Sequence, residues 1–175
     1  MREIRYDVFA SPLGPLHVGA SDAGLAAIGW GGDEIAFRAA ATKRFGVEPL
    51  RDPKAVAQPV EELSAYFRGE LRTFQTPFDL SSGTEFQRRC WEALLRIPYG
   101  ATRTYKWVAK EVGATDGFRA VGMANHRNPL MIVVPCHRVV AHDGTLGGYA
   151  AGLDVKRRLL ALESGVRPLA AAPES

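Results

Sequence analysis

Two domains are predicted in this chain of 175 residues, an α/β domain over residues 1–80 and a mainly α domain over residues 81–175. Three observations predict them. The first stretch alternates apolar and polar residues between turn signals, as half-buried strands do. From Thr84 onward apolar residues recur at helical spacing instead. Between the two patterns, Ser81-Ser82-Gly83-Thr84 is a run of small residues that ends one and starts the other. The length suits one ordinary domain or two small ones, and 46% hydrophobic residues are enough for a real core.

In the first half, Arg5-Tyr6-Asp7-Val8-Phe9 alternates and reads as a strand. Pro12-Leu13-Gly14-Pro15 is a turn, and Leu16 to Ala20 a second strand. Ser21-Asp22-Ala23-Gly24 is another turn, and Leu25 to Trp30 a third strand. Gly31-Gly32-Asp33 caps a helix running to about Phe45, which Gly46 ends. A second helix follows from Val56, Val60, Leu63 and Phe67, spaced 4, 3 and 4, and stops at Gly69. Arg72 to Phe78 reads as irregular or short extended chain. No cluster in this half suggests chemistry, and its expected role is structural.

In the second half, Thr84 and Gln87 form a capping box. The helix they open is expected to bury Phe86, Cys90 and Leu94, with Trp91 and Leu95 alongside, and to end before Pro98-Tyr99-Gly100. Cys90 sits on that stripe and reads as packing. Thr104 caps a short helix with Tyr105, Val108, Ala109 and Val112 on its apolar side, closed by Gly113. After Ala114-Thr115-Asp116-Gly117 a further helix runs from Phe118 to about Asn125. Two short helices about a glycine-containing turn fit helix-turn-helix geometry, although many such hairpins never touch DNA. The small residues Ala120, Gly122 and Ala124 favour contact, because a small-sided face lets backbone approach a surface. Arg119 at its start can project into a groove.

Leu130-Met131-Ile132-Val133-Val134 reads as a buried strand, stopped by Pro135. Ala141-His142-Asp143-Gly144-Thr145 carries the signal of a tight hairpin, which beside a helix-turn-helix is a wing. Gly147 to Gly152 is a small-residue loop. The last helix has Val155, Leu159 and Leu162 on its apolar side, an exit beginning at Val166, and Gly165 at C′. Lys156-Arg157-Arg158 is expected on its exposed side and Glu163 at the border of its buried face. The tail from Pro168 to Ser175 reads as frayed. The expected fold is therefore a small β-sheet plus helices, followed by a mainly α winged-helix/helix-turn-helix domain.

The chemistry is expected at Pro135-Cys136-His137-Arg138-Val139. A cysteine attacks as its thiolate, so it needs a base or a positive field nearby. His137 and Arg138 offer both. Alone, the pair also fits a small buried hydrophobe beside a surface histidine. Charge adds a second pointer. From Met1 to Ser81 nine Lys and Arg stand against eleven Asp and Glu, whereas from Ser82 to Ser175 thirteen stand against eight. The basic excess lies with the Cys-His pair and suggests a polyanionic partner, nucleic acid first.

Several classes are excluded. No run approaches about 18 apolar residues, so no membrane span is expected. Met1-Arg2-Glu3-Ile4-Arg5-Tyr6 lacks the apolar stretch of a signal peptide, and a cytoplasmic location is expected. Two cysteines do not make a disulfide scaffold. His17, His126, His137 and His142 are scattered, and no zinc-site spacing is present. Neither a metal nor a cofactor is expected.

Taken in order, Arg119-Ala120-Val121-Gly122, Ala124-Asn125, Asn128-Pro129, Pro135-Cys136-His137-Arg138-Val139, Gly148-Tyr149 and Gly152-Leu153 resemble the O6-alkylguanine-DNA alkyltransferases (methylated-DNA–protein-cysteine methyltransferases). The match runs from roughly Thr84 to Glu163. The first half resembles the family's N-terminal domain more loosely, which implies a ribonuclease-H-like fold there. The resemblance implies direct-reversal DNA repair by a single-turnover enzyme. Such a protein flips O6-alkylguanine, with O4-alkylthymine a further candidate, out of duplex DNA bound through its minor groove. It then moves the alkyl group irreversibly to a cysteine.

The resemblance also implies roles. Cys136 is the acceptor, His137 the base that takes the thiol proton through a water, and Glu163 the carboxylate that orients the imidazole. Asn128 holds the active-site turn together. Tyr105 lies near the flipped nucleotide, crowds its 3′ phosphate and helps protonate the departing guanine. Arg119 fills the stack that the flipped base leaves. Ala120, Gly122 and Ala124 face the minor groove, with Thr104 and Tyr105 beside them. Pro135, Val139, Tyr149, Ala150 and Ala151 form the base pocket. The expected partner is duplex DNA carrying O6-alkylguanine, bound by a monomer; assembly of several molecules along DNA is left open.

Two departures from the family stand out. No cysteine precedes Cys90, so the structural zinc of some relatives is not expected. Ala151 stands where some relatives have glycine, which narrows the pocket for bulky adducts. Two other readings compete. One is a winged-helix regulator with a redox-sensing Cys136; against it, the second helix is not rich in the Arg, Asn or Gln that read a major groove. The other is a Cys-His-Glu thiol hydrolase; against it, neighbours in extended chain point to opposite faces.

Overall fold

The alternating stretch near the N-terminus produces three antiparallel strands, β1 (Arg5–Ser11), β2 (Gly14–Ser21) and β3 (Gly24–Trp30). Val8 lies opposite His17, and Val18 opposite Ile28. The computed structural model of the chain describes residues 2–165. The expected exit at Val166 and the tail from Pro168 to Ser175 lie outside the described residues. The described chain forms two units, one up to Ser82 and one from Gly83.

In the first unit, Asp33 caps α1 (Glu34–Phe45) by accepting from the Ala36 N–H, and Gly46 closes it with a left-handed φ of 76°. A short strand, β4 (Leu50–Arg51), then pairs in parallel with β1, giving the order β3-β2-β1-β4. Two residues carry no period, so the sequence does not announce β4. A 3₁₀ turn (Pro53–Val56) leads into α2 (Ala57–Phe67). Both faces of the sheet are covered. The Phe37 ring of α1 stacks 4.9 Å from His17 on one face, and Phe67 of α2 lies 6.3 Å from Phe9 on the other. Val60 is only half-buried, while Pro59 and Tyr66 join Val56, Leu63 and Phe67 inside. The irregular segment after α2 is pinned by Glu62, whose carboxylate accepts from the Gln75 and Thr76 backbone N–H groups.

The second unit opens with α3 (Glu85–Leu95), where both halves of the Thr84–Gln87 capping box form. Cys90, Trp91, Ala93 and Leu94 are buried, Phe86 is half-buried and Leu95 is exposed. Thr104 of β5 (Arg103–Thr104) caps α4 (Tyr105–Glu111), and α5 spans Phe118–His126. The Trp91 indole N–H donates to the Ala124 carbonyl at 2.9 Å and joins α3 to α5. A 3₁₀ turn (Cys136–Arg138), β6 (Val139–Val140) and α6 (Leu153–Glu163) complete the unit. No helix among the described residues is long and apolar enough to cross a membrane.

Three expectations need correction. Leu130–Val134 is largely buried, yet it is a bend and not a strand. Ile132 takes a φ of 76°, and the Val134 N–H donates to the Leu130 carbonyl at 2.8 Å. The Asn128 side chain supplies the bonds that a neighbouring strand would otherwise make, accepting from the Leu130 N–H at 2.9 Å and donating to the Val134 carbonyl at 2.7 Å. The Asp143-Gly144 turn forms, with the Ala141 N–H donating to the Thr145 carbonyl at 3.0 Å, but no hairpin strands flank it. Instead β6 pairs in parallel with β5, Arg103 opposite Val139. The wing is thus a loop over 141–152. Finally, Lys156 is fully buried and not exposed. It shares a helical face with Leu159 and Glu163, and that 3-then-4 spacing, not its charge, decides its direction.

Candidate active site

The bend at Asn128 delivers the chain into Pro135, which caps the 3₁₀ turn carrying Cys136, His137 and Arg138. The three residues are therefore not in extended chain, and alternation of faces does not govern them. Cys136 is 5% exposed. Burial pushes its thiol up to about 11, against the pull of a hydrogen bond from Asn128 and the charge of Lys156. Arg138 does not supply the positive field suggested by its place in sequence. Its guanidinium donates to Glu163 and to the Ile97 carbonyl, and its plane lies near Tyr99. In the free protein Cys136 is a thiol at neutral pH, so any attack needs a base to take its proton.

His137 is placed to be that base. It is wholly buried, and its Nε2 lies 2.8 and 2.9 Å from the two Glu163 oxygens. With Nε2–H donating to the carboxylate, Nδ1 is the unprotonated acceptor. Nδ1 is buried and meets no hydrogen-bond partner among the described residues. Burial lowers the His137 pKa below its ordinary value, with Glu163 opposing. Burial also disfavours the Glu163 carboxylate, but His137 and Arg138 together outweigh it and hold Glu163 below the usual range. Arg138 Nε stands 2.8 and 3.0 Å from that carboxylate. The guanidinium balances the carboxylate's charge, which leaves the imidazole neutral and oriented.

Tyr105, at the start of α4, points its hydroxyl toward the Gly148 carbonyl at 3.5 Å. Burial raises its pKa, with the Gly148 contact opposing. It remains a phenol at neutral pH and can donate a proton. Above Cys136 opens a pocket of about 940 Å³ lined by Tyr105, Arg119, Gly122, Asn125, Tyr149 and Ala150, among others. That volume lies within the range of small-molecule sites.

The predicted residues divide. Tyr149 and Ala150 line the pocket. Pro135, which caps the turn, and Val139 of β6 are buried and do not line it, and Ala151 is half-buried outside the lining. On α5, Arg119 and Ala120 are exposed and Gly122 is half-buried, but Ala124 is 1% exposed and turned toward α3. Thr104 uses its hydroxyl to accept from the Trp107 N–H. Sequence reasoning missed Asn125, whose side chain is buried beside the pocket, and Phe118, an exposed aromatic at its rim. It also missed Lys156, although the spacing with Leu159 and Glu163 was there to be read.

Comparison with known proteins places the chain in a family. Residues 85–165 match the DNA-binding domain of 6-O-methylguanine DNA methyltransferase, and residues 4–80 match its ribonuclease-like domain. A Methanosarcina barkeri protein named methylated-DNA–protein-cysteine methyltransferase is 40% identical over 90% of this chain and 96% of its own. One of the same name from Mycolicibacterium paratuberculosis is 56% identical over 64% of this chain and 67% of its own. The crystal structure of Mycobacterium tuberculosis OGT in complex with DNA superposes with a TM-score of 0.82 at 42% identity, covering 94% of this chain and 95% of that one.

Proposed function

The chain belongs to the 6-O-methylguanine DNA methyltransferase family, and from that premise we propose that it repairs alkylated DNA by direct reversal, with Cys136 as the alkyl acceptor. The single observation that carries the assignment of residues is the buried neutral His137, fixed at Nε2 by Glu163 and open at Nδ1, in one turn with a Cys136 that lines the pocket.

In this reading the lesion base leaves the duplex and enters the pocket. Extrusion costs a few kcal/mol, and less for a badly paired base. Arg119, exposed at the start of α5, takes its place in the stack. The thiol proton of Cys136 passes through a water to His137 Nδ1. The sulfur then attacks the alkyl carbon, an S–C bond forms and the C–O6 bond breaks. The bonding pair goes to the guanine, which the Tyr105 hydroxyl protonates. His137 returns its proton to Tyr105 through solvent, so the net transfer is one proton lost by the thiol and one gained by guanine. A soft carbon electrophile suits a sulfur nucleophile. The thioether has no low-energy route back, so each molecule acts once. The reaction calls for a reduced thiol, which fits the cytoplasm. Cys90, buried in the core of α3 with its thiol pushed up to about 11, is not a competing acceptor.

The test is direct. The protein is incubated with a duplex carrying one O6-methylguanine, digested, and its peptides weighed. One methyl on the Cys136 peptide, in one-to-one yield, is expected. An intact lesion with unmodified Cys136 after long incubation would sink the proposal. Cys136→Ala abolishes transfer and still binds the duplex.

A further inference from the structure

Lys156 is among the largest fully buried side chains of the protein, and the mechanism above gives it no step. Its ammonium donates to the Val139 carbonyl at 2.6 Å, to the Gly148 carbonyl at 3.0 Å and to the Leu146 carbonyl. An ammonium has three N–H donors, and all three are used. The acceptors come from distinct places: β6, directly after the Cys136 turn, and two points of the 141–152 loop that carries Tyr149 and Ala150.

The same loop is held against Tyr105. The Tyr105 ring lies 6.0 Å from Lys156 Nζ, and its hydroxyl shares the Gly148 carbonyl with the ammonium. Gly147 has a φ of 69°, and a Cβ there would stand 2.8 Å from the Tyr105 ring. Only glycine allows so close an approach. The titratable groups around Nζ are Cys136 and His137 on the 3₁₀ turn and Tyr105 on α4. Glu163, on the same helix, is held by His137 and Arg138. Burial lowers the ammonium to about 8, and its attraction to Cys136 opposes this.

We infer that Lys156 is a positioning residue of the acceptor site: bridging the carbonyls of Val139, Leu146 and Gly148, it holds the 141–152 loop closed against Tyr105 as the wall of the base pocket. The inference rests on the reading of Cys136 as acceptor. A wall held open would admit water and misplace the base.

Lys156→Met keeps the length of the side chain and removes both donors and charge. Two measurements test the role. Amide hydrogen exchange over 141–152 is expected to quicken. The rate of methyl transfer from the O6-methylguanine duplex is expected to fall at least about tenfold, while duplex affinity, measured with Cys136→Ala added, changes less than about threefold. Wild-type exchange and transfer in a folded Met variant overturn the inference, and so does a lowered melting temperature with both unchanged. If the Met variant does not fold, Lys156→Arg decides. It keeps the charge but cannot place one compact ammonium on three carbonyls, so quickened exchange over 141–152 with slowed transfer supports the inference. Wild-type transfer by the Arg variant overturns it. If the wild type itself transfers no methyl, the acceptor reading fails, and the exchange data still judge on their own whether Lys156 holds the loop.

Discussion

His137 shows how much at the residue scale depends on which of two nitrogens is occupied. Glu163 takes Nε2, so the free lone pair is at Nδ1. His137→Gln is expected to slow transfer by roughly 10²-fold or more, the usual worth of a positioned base, with duplex binding retained. The pH dependence has a definite sign. The competent base is neutral imidazole, and burial sets its pKa below the ordinary value, near 6.5. Transfer should hold its rate as pH falls to that value and decline only in more acidic solution; a midpoint above it would contradict the assignment. Glu163 follows the carboxylate rule. Its pKa is depressed, so its contribution to stability is present above the ordinary carboxylate range and is lost as pH falls through its folded value. Glu163→Gln strands the buried Arg138 charge and is expected to cost about 3 kcal/mol in urea unfolding.

At the scale of elements, helix ends were legible and the approach to the active turn was not. Asp33, Thr84 and Thr104 each accept from a first-turn N–H, as their residue types demand. Leu130–Val134 reads as a strand because five apolar residues in a row look alike whether they run straight or bend. What bends them is a side chain outside the run. Asn128→Ala removes two buried hydrogen bonds and orphans the Leu130 N–H, while the Val134 carbonyl keeps only the Cys136 N–H. The expected loss is about 3 kcal/mol, read from the urea midpoint. Transfer should slow as well, because the bend delivers the chain into the turn that carries Cys136; full stability in that variant would show that the bend holds itself.

At the scale of the whole molecule, the division of charge points to the partner before any geometry does. The half from Ser82 onward holds the basic excess, and it is the half that matches a DNA-binding domain. The affinity of Cys136→Ala for duplex DNA should fall as salt rises, with a log–log slope of roughly −0.9 per phosphate contacted. Arg119→Ala should slow repair of a paired lesion more than repair of a single-stranded one, since only the paired lesion leaves a stack to fill. Equal slowing of both would remove Arg119 from that role.

By itself the sequence determined the order of most elements, though not β4 or the bend at Leu130–Val134, the two folding patterns with their break at Ser81–Thr84, and the residues of the turn proposed to be reactive. These are set by local spacing, capping and residue type, which a chain carries wherever it folds. Only the tertiary structure decided that Arg138 serves Glu163 and not Cys136, that the thiol is held protonated, and that Lys156 points inward beneath the pocket wall. Each of these depends on which groups are removed from water together. That is a property of contacts between distant parts of the chain, to which neighbouring letters give no weight.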